Sequence, residues 1–184
     1  MTAARLPWAA DLLHAWFHEL RPDQWFGRSD VVDTKLRRRF ARTLARLGGQ
    51  PATAFLGDPL TARAAVLLFD QVPRNLFRDD PRAFAYDSLA RAITRGARAK
   101  GWDRSMTKNA RHFLYMPMMH SEAIADQLLA LRLFAALGNN RTLDFCRSHA
   151  RMIERFGRFP HRNKVLGRKS TRAEKRAVAE GNAW

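Results

Sequence analysis

The sequence predicts an all-α protein, and three observations carry that reading. Leu and Ala supply 50 of the 184 residues while Val and Ile supply only 9, so the apolar material comes from strong helix formers and few β-branched residues. Apolar side chains recur every three or four positions along much of the chain, the period of an amphipathic helix. Asp-Pro starts, Gly stops and isolated prolines divide these runs at helix-sized intervals, as helix boundary chemistry requires.

Leu12, Leu13, Trp16, Phe17 and Leu20 place a first helix over residues 9–20, stopped by Pro22, and Gln24-Trp25-Phe26 reads as a turn with buried aromatics. Val32, Leu36, Phe40, Leu44 and Leu47 define a helix over residues 30–47, capped by Ser29 or Asp30 and ended by Gly48-Gly49. Asp58-Pro59 opens a helix expected to end near Val72, before Pro73. Asp80-Pro81 opens another, to about Arg95, with Phe84, Leu89 and Ile93 inward, so the two form a hairpin around residues 73–79. A shorter helix over residues 107–115 is expected to stop before Pro117. Residues 121–137 follow, with Ile124, Leu128, Leu131 and Phe134 along one side. After the Gly138-Asn139-Asn140 turn, Thr142 is expected to cap a helix carrying Phe145, His149, Met152, Ile153 and Phe156. Gly157, Pro160 and Gly167 then impose a loop, and Thr171-Arg172-Ala173-Glu174 has the spacing of a capping box that starts a terminal helix. No linker interrupts the chain, so residues 1–184 read as one domain of antiparallel helix pairs, a bundle or a short solenoid.

The formal net charge is +16, which raises a polyanion as a partner. Residues 147–176 concentrate it, with eleven Lys/Arg against Glu154 and Glu174. A second set, Lys35, Arg37, Arg38, Arg39, Arg42 and Arg46, alternates with apolar residues and reads as a solvated helix face. Lone Cys146 excludes an internal disulfide framework and a cysteine-cluster metal site. The longest apolar run, residues 64–69, is six residues against roughly 20 for a membrane span. Without a signal-like N-terminus, a cytoplasmic address and no membrane partner are expected; nothing in the sequence sets an oligomeric state.

Two segments interleave polar residues, aromatics and proline: Phe69 to Arg78, and Phe156 to Asn163 continuing to Thr171. Each carries Pro, then Arg-Asn, then a further Arg. Arg74, Arg78, Arg158, Arg162 and Arg168 offer planar forks for phosphate or carboxylate, Gln71, Asn75 and Asn163 offer polar edges, and Ser170 or Thr171 opens a helix N-terminus. The alternative is structural, with Asp70, Asp87 and Glu122 pairing these arginines internally. His120, Glu122, His149 and His161 are the weak acid/base candidates. His120-Ser121-Glu122 has the spacing of zinc deaminases, but their downstream cysteine pair cannot exist here. His14 and His18 lack the Glu of a metalloprotease helix, and no Walker, dinucleotide or nucleophile-elbow motif is present. No metal or cofactor is expected. Trp16, Phe17, Trp25 and Phe26 read as core rather than as a base-stacking platform.

Trp16-Phe17, Gln24-Trp25-Phe26, Phe69 to Arg78, Ala83-Phe84 with Asp87, Phe113-Leu114-Tyr115-Met116-Pro117, His120-Ser121-Glu122 with Gln127, and Phe156 to Glu174 together resemble the DUF924 family of uncharacterised proteins. The resemblance spans nearly the whole chain. It implies an all-α, TPR-like fold of antiparallel helix hairpins in a superhelical array, and it supplies no reaction. The leading expectation is a binding protein whose two Pro-Arg-Asn corners meet to form an Arg/Asn/His pocket for a small anionic ligand or acidic peptide. Its residues are Asp70, Gln71, Arg74, Asn75, Arg78, His120, Glu122, Arg158, His161, Arg162, Asn163 and Arg168. A hydrolase acting on an anionic small molecule, with His120 or His161 as base, comes second. Non-specific nucleic-acid binding through the basic C-terminal stretch comes third.

Overall fold

The computed structural model describes residues 4–181, and every regular element among them is helical. Helix α1 (Pro7–His14) runs directly into a π-turn over Ala15–Glu19, closed by Leu20 N–H donating to the Ala15 carbonyl at 3.0 Å. Leu12, Trp16 and Leu20 are spaced by four and all buried. An ideal 3.6-residue turn would let that spacing drift, and the wider i→i+5 turn holds the three side chains on one face. Helix α2 (Asp30–Leu47) has the expected bounds, and Ser29 is its cap, accepting from Val32 N–H at 3.4 Å. Helix α3 (Pro59–Val66) starts on Asp58, whose carboxylate accepts from the N–H groups of Leu60 and Thr61.

Two expected stops are not stops. At Pro73 the chain passes through a second π-turn (Leu67–Gln71) into α4 (Val72–Leu76). Val72 N–H donates back to the Leu67 carbonyl, so Pro73 falls in the first turn of α4, where a missing N–H costs nothing. Pro117 lies inside α6 (Lys108–Met119), where its missing N–H leaves the Phe113 carbonyl without its usual helical donor and the helix nevertheless continues for two more residues. Asp80-Pro81 opens only a 3₁₀ turn (Pro81–Phe84), and α5 (Asp87–Ala99) begins later.

Helix α7 (Ile124–Leu137) starts three residues later than expected, and of the side expected to face inward Phe134 is buried while its first turn is not. Ile124 and Leu128 are 47% and 51% exposed, while Asp126, Gln127, Ala130, Phe134 and Leu137 face inward. Because α7 is apolar nearly all round, spacing alone could not choose its inner side. The choice is made by polar hooks: Gln127 Nε2 donates to the carbonyls of Met119 and Ser121, and Ser121 Oγ donates to Asp126 at 2.7 Å. Asn139, not Thr142, caps α8 (Asn140–Phe156), accepting from Thr142 N–H at 3.1 Å, and Phe145 on that helix is exposed rather than inward. The Thr171–Glu174 capping box forms as read and opens α9 (Arg172–Ala179).

The chain divides into two compact units. One comprises the chain up to Arg78 with Arg82–Leu114, the other Asp79–Pro81 with the chain from Tyr115 onward. In the first, Leu12, Leu67, Leu68, Phe69 and Ile93 are sealed from solvent, and Trp16, Phe17 and Trp25 make edge contacts around Phe113. Phe26, expected inside, stacks flat on Phe113 and leaves its other face in water at 61% exposure. In the second, α7 and α8 form a hairpin, and Met152, Ile153, Phe159 and Ala177 make a buried cluster under Phe156. Among the described residues no helix is long and apolar enough to cross a membrane.

Candidate functional site

The two Pro-Arg-Asn corners fall in different units. In the first unit the corner is helical and buried. Arg74 places both Nη atoms on Asp87, at 2.9 and 3.1 Å, and lies 3.4 Å from the fully buried Asp70, which also accepts from Gln71 Nε2 at 2.6 Å. Burial works against the Arg74 charge, and Asp70 and Asp87 more than restore it, raising its pKa. Asp33 of α2 receives Asn75 Nδ2 at 2.8 Å and Arg78 through both Nε and Nη2. Asp70, Gln71, Arg74, Asn75 and Arg78 are therefore brought together, but around three carboxylates, and the arginine charges are met inside the protein.

The second unit starts from a similar run, Pro160-His161-Arg162-Asn163, and meets two of its arginines with glutamates. Glu122 takes a bidentate fork from Arg168, at 2.8 and 2.9 Å, and accepts from the Phe159 N–H at 2.8 Å. Burial alone would raise the Glu122 carboxyl, and Arg168 outweighs it, holding the group low. Arg158 forks onto Glu174 at 2.7 and 3.1 Å. With the Thr171 N–H and Asn163 Nδ2 on the same carboxylate, Glu174 is pulled down to about 2, first by Arg158. Arg158 and Arg168 thus act as struts that tie the loop after α8 to α9 and to the start of α7.

What these struts enclose is a cluster on Phe159. Arg162, buried, lies 4.6 Å from the Phe159 ring centroid; His149 and His161 flank that ring at 5.3 and 5.6 Å, and His120 stands 6.4 Å from His149. His149 Nδ1 is 2.8 Å from the Phe145 carbonyl, so Nδ1 carries the hydrogen of the neutral ring and Nε2 its lone pair. Burial, then the field of His120, pushes His149 down to about 3, with His161 and Arg162 adding to it. His161 falls to about 4, through burial first and Arg162 second, with Glu122 pulling the other way. His149 and His161 therefore sit where the surroundings resist a further positive charge, with His120 beside His149. Asn163, fully buried, follows Arg162; its Nδ2 donates to Ser170 and Glu174, and among the described residues no donor reaches its Oδ1.

Sequence reasoning named His149 only as an acid/base candidate and did not see Asp33 or Glu174 as partners. Asp33 carried a signal, an acid beside Val32 on the inner face of α2, and a carboxylate there needs a cation. Glu174 was legible only as a capping-box residue.

A family model described as "Bacterial protein of unknown function (DUF924)" matches residues 12–182. A solved structure, of a protein of unknown function, ATU0120, from Agrobacterium tumefaciens, is similar at 35% identity with a TM-score of 0.88, covering 94% of this chain and 97% of that one. None of the curated proteins matches.

Proposed function

Since the chain belongs to the DUF924 family of bacterial proteins, whose description assigns no activity, we propose that its second unit binds a small anionic ligand at the cluster of His120, His149, His161 and Arg162. The observation that carries this reading is the gathering of imidazoles and a guanidinium on one buried ring: Arg162, His149 and His161 lie against Phe159 and His120 against His149, and burial together with their mutual fields holds His149 near 3 and His161 near 4. An anion placed there would raise the histidine pKa values it touches. His161 is the partly exposed member and marks the side of approach.

The binding reading is favoured over hydrolysis because imidazoles held near 3 and 4 are weak bases at neutral pH. The nucleic-acid reading loses Arg158 and Arg168 to internal carboxylates. A TPR-like array is the scaffold this reading assumes, and the α7–α8 hairpin joined at Gly138-Asn139 fits one such helix pair. The test is a thermal-shift panel of small carboxylates and oxyanions at constant ionic strength, since a chain of +16 gains stability from salt alone. At least one small anion is expected to raise Tm, and Arg162→Gln is expected to abolish that rise. Stabilisation by polyanions only, unchanged in Arg162→Gln, would overturn the reading in favour of non-specific nucleic-acid binding.

A further inference from the structure

We propose a separate binding site in the first unit, at Arg63, that takes a small aromatic carboxylate: the carboxylate sits on the Arg63 fork and the ring lies against Phe17 and Trp25. Arg63 projects from α3 onto the Phe17 ring, its Cζ 5.0 Å from the ring centroid. From there aromatic side chains run outward without a break. Phe17 stands 6.1 Å from Trp25 and Trp25 stands 6.4 Å from Phe26, each pair close to edge-on. Phe113, buried, lies beneath all three, 5.2 to 5.8 Å from their ring centroids. Phe17 and Trp25 are half-buried and Phe26 is exposed, so the cluster opens to solvent along these rings. Arg63 is half-buried with them, and the nitrogen it seals from solvent without an acceptor is Nε.

What separates Arg63 from the arginines described above is its counter-charge. Arg39 meets Asp11 and Glu19, Arg74 meets Asp70 and Asp87, and Arg158 meets Glu174. Arg63 meets no carboxylate among the described residues, and burial pushes its pKa down. The Phe17 ring does not replace a carboxylate. A ring face attracts the charge but accepts none of the in-plane N–H hydrogen bonds that a carboxylate takes two at a time. A desolvated guanidinium without an anion is costly, and a monovalent carboxylate matches both its charge and its fork. A phosphate dianion would bring a second negative charge to a place where one guanidinium meets the rings. The rings select the rest of the ligand, because an aromatic body gains edge contacts on Phe17 and Trp25 and leaves water as it does so.

The experiment is calorimetric titration of the full chain at pH 7 with sodium phenylacetate, sodium acetate and benzyl alcohol at matched ionic strength. Phenylacetate is expected to bind at least about 10-fold more tightly than acetate, which lacks the ring, and than benzyl alcohol, which lacks the charge. Arg63→Met, which keeps bulk on Phe17, should remove the preference for phenylacetate over benzyl alcohol. If that variant does not fold, Arg63→Lys, which keeps the charge and loses the fork, should weaken phenylacetate at least about threefold. Arg162→Gln, in the other unit, should leave phenylacetate binding unchanged, which separates this site from the histidine cluster. Three results would each overturn the inference: no phenylacetate binding, equal binding of phenylacetate and acetate, or phenylacetate binding that survives at Arg63 and is lost in Arg162→Gln.

Discussion

The corners at Pro73 and Pro160 begin from the same signature and diverge because of what stands opposite them. At the first, three aspartates from α2, the π-turn and α5 meet Arg74 and Arg78. At the second, Glu174 and Glu122 meet Arg158 and Arg168, and Arg162 lies on the Phe159 ring with His149 and His161. A run of Pro, Arg and Asn thus specifies neither a strut nor a site. The carboxylates delivered from distant parts of the chain decide which arginines become struts.

The largest expected effect lies at the first corner. Arg74→Ala leaves Asp70, with no exposed surface, and Asp87 without their shared cation. We expect a loss of about 3–5 kcal/mol, read as a fall of about 10 °C or more in Tm. A fall of less than about 2 °C would show that the aspartates do not depend on Arg74, and the contrast between the corners would weaken.

Acid should act on the second corner first. His149 and His161 are neutral in the fold, at about 3 and 4, and titrate near 6.5 when exposed. Between pH 6.5 and 4 the unfolded chain therefore binds more protons, and stability rises with pH across that window. Their contribution is complete above about pH 6.5 and is lost on acidification, up to roughly 3 kcal/mol per ring by pH 4. Glu174, held at about 2, adds a loss only as pH falls below its ordinary value of 4.5. Urea unfolding at pH 7, 5.5 and 4.5 checks this, and His149→Gln should flatten the slope. Equal stability at pH 7 and 4.5 would contradict a buried neutral cluster.

The smallest effect separates the faces of α7. Leu128→Ala, on the exposed side, should cost less than about 1 kcal/mol, whereas Phe134→Ala on the buried side should cost about 3–5 kcal/mol. Comparable losses would restore the face that spacing alone suggested.

That pair also shows what the sequence could carry. α2 was legible to its ends because its apolar period, its Ser29 cap and its Gly48 stop agree. The terminal helix was legible because a capping box is local. Pro73 and Pro117 are not stops: a π-turn sets Pro73 in the first turn of α4 and α6 runs through Pro117, and neither leaves a local signature in the sequence. At the candidate site, residue types were visible but partners were not. Asp33 reaches Arg78 across 45 residues and Glu122 meets Arg168 across 46, pairings set by packing rather than by spacing.

The most direct test sets the two corners side by side, measuring Tm of wild type, Arg74→Ala and Arg162→Gln with and without inorganic phosphate at constant ionic strength. Arg74→Ala should lower Tm strongly and keep the phosphate-induced rise, because its defect is a broken strut. Arg162→Gln should lose the rise, whatever its ligand-free Tm. An Arg162→Gln protein with the phosphate increment intact would contradict the account.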